Sequence, residues 1–171
     1  MVPDEELLGR LAQGEDDALA ELLRRYERPL SSFLYRHTKG RDVEDLFQET
    51  WARVFRHARA FDPTRRFSTW LFQIALNLAR DWHRRPRPET GAAPSDDRES
   101  GDLGRVEASL DAARLLHGLS EQHREVVILR FYHDLSEEQV AEIVGCPKGT
   151  VKSRLHHALV RLGEAVRAER P

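Results

Sequence analysis

Apolar residues recur every three or four positions along most of the N-terminal half of the chain, the mark of amphipathic helices sharing one core. The pattern predicts helices near Asp4 to Ala12, Glu15 to His37, Asp42 to Arg59 and Phe67 to Arg85, and no two-residue alternation competes with it. Pro29 falls inside the second helix and should kink or split it, because proline removes a backbone donor and crowds the preceding turn. Asp42 is placed to cap the third helix, and Phe61 to Arg66 (FDPTRR) connects the third to the fourth. The periodicity then stops. From Pro86 to about Gly104 the run PRPETGAAPSDDRESGDLG mixes Pro, Gly, Ser and acids, the composition of a flexible linker that cannot bury enough apolar area to order itself.

Beyond the linker the helical pattern returns, over Arg105 to Gly118, over Ser120 to His133 and then in a closely spaced pair. In that pair Ser136 and Gln139 fit a capping box, and Val140, Ile143 and Val144 supply one apolar side. Gly145 can take positive φ at a helix end, and Pro147 suits the first turn of a new helix. The last helix repeats Val151, Leu155, Ala158, Leu159 and Leu162 at helical spacing, leaving Lys152, Ser153, His156 and His157 on other faces and Lys148, Gly149 and Thr150 at its start. Two short helices joined this way have the sequence form of a helix-turn-helix, whose second helix enters the major groove by its N-terminal half. The plain alternative is a helical hairpin with a solvated charged side. Against it, Leu135 to Gly145 holds three acids and no Lys or Arg, whereas Cys146 to Pro171 holds six bases and two acids. A helix facing phosphates has a use for that segregation.

The architecture expected is therefore all-α: a helical domain over 1–85, a linker over 86–104, and a helical domain over 105–171 ending in the helix-turn-helix. At 171 residues, 40% hydrophobic and 33% charged, the chain supports one medium or two small domains. The net charge of −2 conceals two basic stretches, Phe61 to Pro88 and Cys146 to Pro171, each with six bases against two acids. Two basic patches suggest two contacts with nucleic acid. The single cysteine, Cys146, excludes an internal disulfide, and there is no long apolar run or apolar leader, so a soluble, cytoplasmic protein is expected.

Three segments in order, DVEDLFQETWARVF (Asp42 to Phe55), FSTWLFQIALNLARD (Phe67 to Asp81) and LSEEQVAEIVGCPKGTVKSRLHHA, resemble the extracytoplasmic-function (ECF) class of bacterial RNA polymerase sigma factors. The resemblance implies a non-catalytic initiation subunit without a cofactor. Its region two would bind the clamp of core polymerase through Asp45, Gln48 and Glu49; their spacing alone reads equally as a solvated acidic face. The same region would read the melted downstream promoter element. There Phe61 and Asn77 match pocket-lining positions with Trp70 nearby, and Arg65, Arg66, Arg80, Arg84 and Arg85 would follow phosphates. Trp70 and Phe72 suit a core as well as a DNA surface.

The C-terminal domain resembles region four, which reads the duplex of the upstream element. Lys148, Thr150, Lys152, Ser153, Arg154, His156 and His157 are its candidate contacts. The sequence departs from the family where Arg is common and His157 and Leu159 stand, which removes bidentate guanine readers. The resemblance also implies an anti-sigma factor that holds such proteins inactive, often at the membrane. Two other readings compete: a one-component regulator, which leaves DLFQETW unexplained, and a metal-dependent enzyme. For the enzyme no Glu-x-x-His pair or nucleophile with a supporting base is visible, and adjacent His156 and His157 point in different directions, so no metal site is expected.

Overall fold

The computed structural model describes residues 2–86 and 112–168, which fall into two compact units. The described residues hold helices and turns and no strand. In the first unit α1 (Asp4–Ala12), α2 (Asp16–Thr38), α3 (Val43–His57) and α4 (Phe67–Arg84) pack together, with a short 3-10 turn at Ala58–Ala60 closing α3. Leu8, Leu22, Phe33, Val54, Phe67 and Leu71 are among the side chains withdrawn from solvent, so all four helices feed one core.

Pro29 does not split α2, which runs unbroken through it. Its neighbours explain why: Leu30, Phe33 and Leu34 are fully buried. At roughly 1.5–3 kcal/mol for each buried side chain, they outweigh the ~3 kcal/mol that an interior proline costs. Asp42 also departs from expectation. It precedes α3 at φ 52° and makes no capping bond; instead its carboxylate accepts a 2.8 Å hydrogen bond from the Trp82 indole, tying the start of α3 to the last turn of α4.

Acids of α1 act across the unit. Asp4 accepts from Arg25 at 2.6 Å and from the Tyr26 hydroxyl at 2.5 Å, and burial followed by that bond raises the Tyr26 pKa. Glu5 accepts from the Phe67 backbone N–H at 2.8 Å, capping α4 from a different helix.

The second unit contains a helical segment over 112–117 (α5), α6 (Glu121–Val127), α7 (Glu137–Val144) and α8 (Lys148–Ala168). The single helix expected over Ser120 to His133 is α6 followed by a wide π turn at Ile128–Tyr132. Ser120 caps α6, accepting from the His123 N–H. The Ser136–Gln139 capping box is present in both directions, at 2.9 and 3.2 Å. Gly145 ends α7 at φ 78°, its N–H bonded to the Ala141 carbonyl at 2.9 Å. That left-handed conformation costs a residue with a Cβ about 1–2 kcal/mol, which explains glycine there. The expected linker after Pro86 and the start of the helix from Arg105 lie outside the described residues.

Candidate functional site

Three helical faces carry the candidate residues. On α3, the buried side is built from Leu46, Thr50, Trp51 and Val54. Asp45 and Gln48 are therefore exposed, with Glu49 half-exposed beside them. Glu49 accepts a 2.9 Å bond from Arg53, which holds its carboxyl below the usual carboxylate range. Gln48 reaches Glu44 only weakly, at 3.4 Å. One residue of this face escaped the sequence reading: Phe55, two turns beyond Gln48, is 62% exposed. Its position off the Trp51–Val54 side was the available signal, since an aromatic there has no core to enter.

The second face begins at the loop before α4. Asp62 accepts from the Thr64 N–H at 2.9 Å and from the Thr64 hydroxyl at 2.7 Å, which keeps its carboxyl below the ordinary range. These bonds fold the loop locally. Phe61 is half-buried, its ring 4.9 Å from Trp70 and 6.5 Å from the buried Phe67. Trp70 is neither core nor free: it is half-exposed, with one side on this cluster. Phe72, by contrast, belongs to the core.

From Trp70 the outer face of α4 runs through Gln73, Asn77, Arg80 and Arg84, about 21 Å at 1.5 Å per residue. Asn77 and Arg84 are exposed and Arg80 half-exposed. Arg84 pairs with Asp81. Arg65 is half-buried and donates to Gln73 at 3.1 Å, a positioning partner that the sequence did not suggest. Arg66 is exposed just before Phe67. The arrangement is a wedge of tilted and edge-on rings at one end of a basic strip, suited to a single strand with an unstacked base.

The third face is the N-terminal half of α8. Val151, Leu155 and Ala158 are buried against the rest of the unit, so Lys148, Lys152, Ser153, His156 and His157 face outward, with Thr150 and Arg154 half-exposed. Two of the bases already have acids. Lys148 pairs with Glu138, which raises the lysine pKa and lowers that of the carboxylate. Lys152 lies 3.8 Å from Glu137. The charge segregation along the sequence thus serves in part to hold α7 and α8 together, a use the sequence reading did not foresee. Arg154 reaches the Cys146 sulfur at 3.8 Å, and Ser153 stands 3.5 Å from Nδ1 of His157. His123 of α6 approaches the His157 ring with centroids 6.3 Å apart. It too was missed, because 34 positions separate it from its neighbour in sequence. Among the described residues no three His, Cys, Asp or Glu side chains are grouped to hold a metal ion.

Comparison with known proteins gives two family matches in order: Sigma-70 region 2 over residues 22–88 and Sigma-70 region 4 over residues 109–162. The ECF RNA polymerase sigma-E factor of Haemophilus influenzae is 31% identical, covering 91% of this chain and 90% of its own. Among solved structures, CnrH in complex with the cytosolic domain of CnrY matches with a TM-score of 0.78 at 27% identity, over 97% of this chain and 98% of that one. The sigma factor RpoE in complex with the anti-sigma factor NepR, from Bartonella quintana, matches with a TM-score of 0.71 at 27% identity, over 89% and 98%.

Proposed function

The chain belongs to the ECF sigma factors of the sigma-70 family, and on that premise we propose how its faces divide the work of promoter-directed initiation. As a sigma factor it is a non-enzymatic subunit that binds core RNA polymerase and directs transcription from promoters. Residues 1–85 act as region two. Asp45, Gln48 and Glu49 on α3 meet the polymerase clamp. Phe61, Trp70 and Asn77 hold bases of the melted non-template strand at the downstream element, and Arg65, Arg66, Arg80 and Arg84 follow its phosphates. Residues 105–171 act as region four. Lys148, Thr150, Lys152, Ser153, Arg154, His156 and His157 meet the upstream duplex, and 86–104 link the two.

The observation that carries this reading is that each family match contains a continuous exposed polar face on a well-anchored helix, α3 and α4 in one and α8 in the other. The two similar structures are complexes with the cytosolic domain of CnrY and with the anti-sigma factor NepR, which supports an anti-sigma partner here. Among the described residues no helix is long and apolar enough to cross a membrane. The chain works in the cytoplasm, on nucleoid DNA when polymerase-bound, and any hold at the membrane comes from the anti-sigma partner.

Run-off transcription with purified core polymerase and a genomic template library tests the reading. The chain co-purifies with core and gives defined start sites; failure of either rejects it. Within region four, Lys152→Ala weakens promoter binding and lowers the slope of log affinity against log salt by about 0.9, the loss of one phosphate contact.

A further inference from the structure

Five cationic or protonatable groups converge where α6 meets α8. His123 projects from α6 toward His157, 6.3 Å away between ring centroids, and His156 stands 5.7 Å from His157. Arg154 and Arg161 of α8 are close enough to disfavour a proton on His123, whose pKa is lowered first by burial and then by His157, Arg161 and Arg154. Of the acids on the neighbouring elements, Glu125 of α6 acts on Arg124 and Glu164 of α8 is exposed one turn past Arg161. Glu137 and Glu138 of α7 are turned to Lys152 and Lys148, and Glu121 on α6 itself acts on Arg124. His117 of α5 contacts Arg124 at 3.4 Å. Among the described residues no acid is paired with Arg154, Arg161, His123 or His157. A cluster of like charge without a counter-charge is costly by itself and is relieved when an anion arrives.

We propose that His123, His157 and Arg161, with Arg154 behind them, form a two-helix clamp for a backbone phosphate of duplex DNA, occupied with uptake of a proton at His123. The inference rests on the assignment of α8 to the upstream duplex and deepens it: His123 lies outside the recognition helix and would set how tightly that helix is held. A phosphate opposes the burial and the neighbouring charges that disfavour a proton on His123, so DNA binding raises the pKa of that imidazole. The sign follows by linkage. A complex that binds more protons than the free chain is favoured as pH falls, by up to about tenfold for each unit of pKa rise.

The test uses the full chain and sheared mixed-sequence duplex DNA at constant ionic strength, titrated between about pH 8 and pH 6. Wild-type affinity should rise several-fold as pH falls. His123→Gln, alone and together with His157→Gln, should reduce the ratio of affinity at about pH 6 to affinity at about pH 8, whatever the change at the higher pH itself, with far-UV circular dichroism confirming the fold. A wild-type profile that is flat, or variants that keep the full rise, overturns the clamp. If Lys152→Ala still weakens binding at every pH in that case, the duplex assignment of α8 stands without it. If wild-type chain binds no duplex at either pH, both fall together.

Discussion

At the scale of single residues, the ion pair between Lys148 and Glu138 matters because the same lysine is assigned to DNA. Both side chains are largely open to water, 46% and 64% exposed, so the pair is screened by salt and exchanges readily. Phosphate and Glu138 therefore compete for one ammonium. Glu138→Gln removes the competitor and its repulsion of the DNA backbone, and should raise duplex affinity about two- to fivefold at low salt, the gain shrinking as salt is added. Fluorescence anisotropy with a labelled duplex measures it. An unchanged affinity would take Lys148 out of the interface. Stability has a comparable single-residue determinant in the first unit. Gly40 sits at φ 76°, and a Cβ added there would lie 2.6 Å from the Tyr35 ring. Gly40→Ala should cost about 1–2 kcal/mol in chemical denaturation, from the left-handed backbone and the displacement of Tyr35 together.

Among the elements, what the sequence disclosed depends on how far apart the interacting residues are. The turn between α7 and α8 was legible because its determinants are local: Ser136 and Gln139 cap within one turn, and Gly145 closes α7 on its own backbone. Asp42 was misread because its partner, Trp82, is 40 residues away. The split offered as one outcome at Pro29 is absent because the buried leucines and Phe33 that hold α2 together offset the local backbone cost. The candidate faces divide in the same way. Periodicity sufficed to turn Lys152 and His156 outward, but not to find Glu5 at the start of α4, Gln73 beside Arg65, or His123 against His157.

For α3, the element itself makes a prediction. Exposed aromatic side chains contribute disproportionately to protein interfaces, and Phe55 continues the face that carries Asp45 and Gln48. Phe55→Ala should weaken core polymerase binding about tenfold, and Gln48→Ala with Glu49→Ala should also weaken it, while neither variant alters duplex binding by α8. Competition against a labelled sigma factor for core reads the first effect and anisotropy the second. Loss of both activities together would indicate unfolding, and an unaltered competition curve for Phe55→Ala would remove that residue from the contact.

For the molecule as a whole, magnitudes separate what the chain does alone from what it does with polymerase. Opening on the order of ten base pairs at ~1.4 kcal/mol per step costs roughly 14 kcal/mol. Holding one or two unstacked bases at the Phe61–Trp70 wedge returns about 1–3 kcal/mol each, which leaves most of the cost uncovered. Added phosphate contacts do not close the gap, since a duplex offers phosphates before melting too. The isolated chain is therefore expected to bind a template whose downstream element is already unpaired, and to lose that binding with Phe61→Ala, yet to leave an intact duplex closed. Permanganate reactivity of thymines in the duplex distinguishes the cases: none with the chain alone, and a reactive stretch once core polymerase is added. Reactive thymines without polymerase would mean that the wedge supplies several times the stacking energy its two rings can provide, and the division of labour between subunit and enzyme would have to be redrawn.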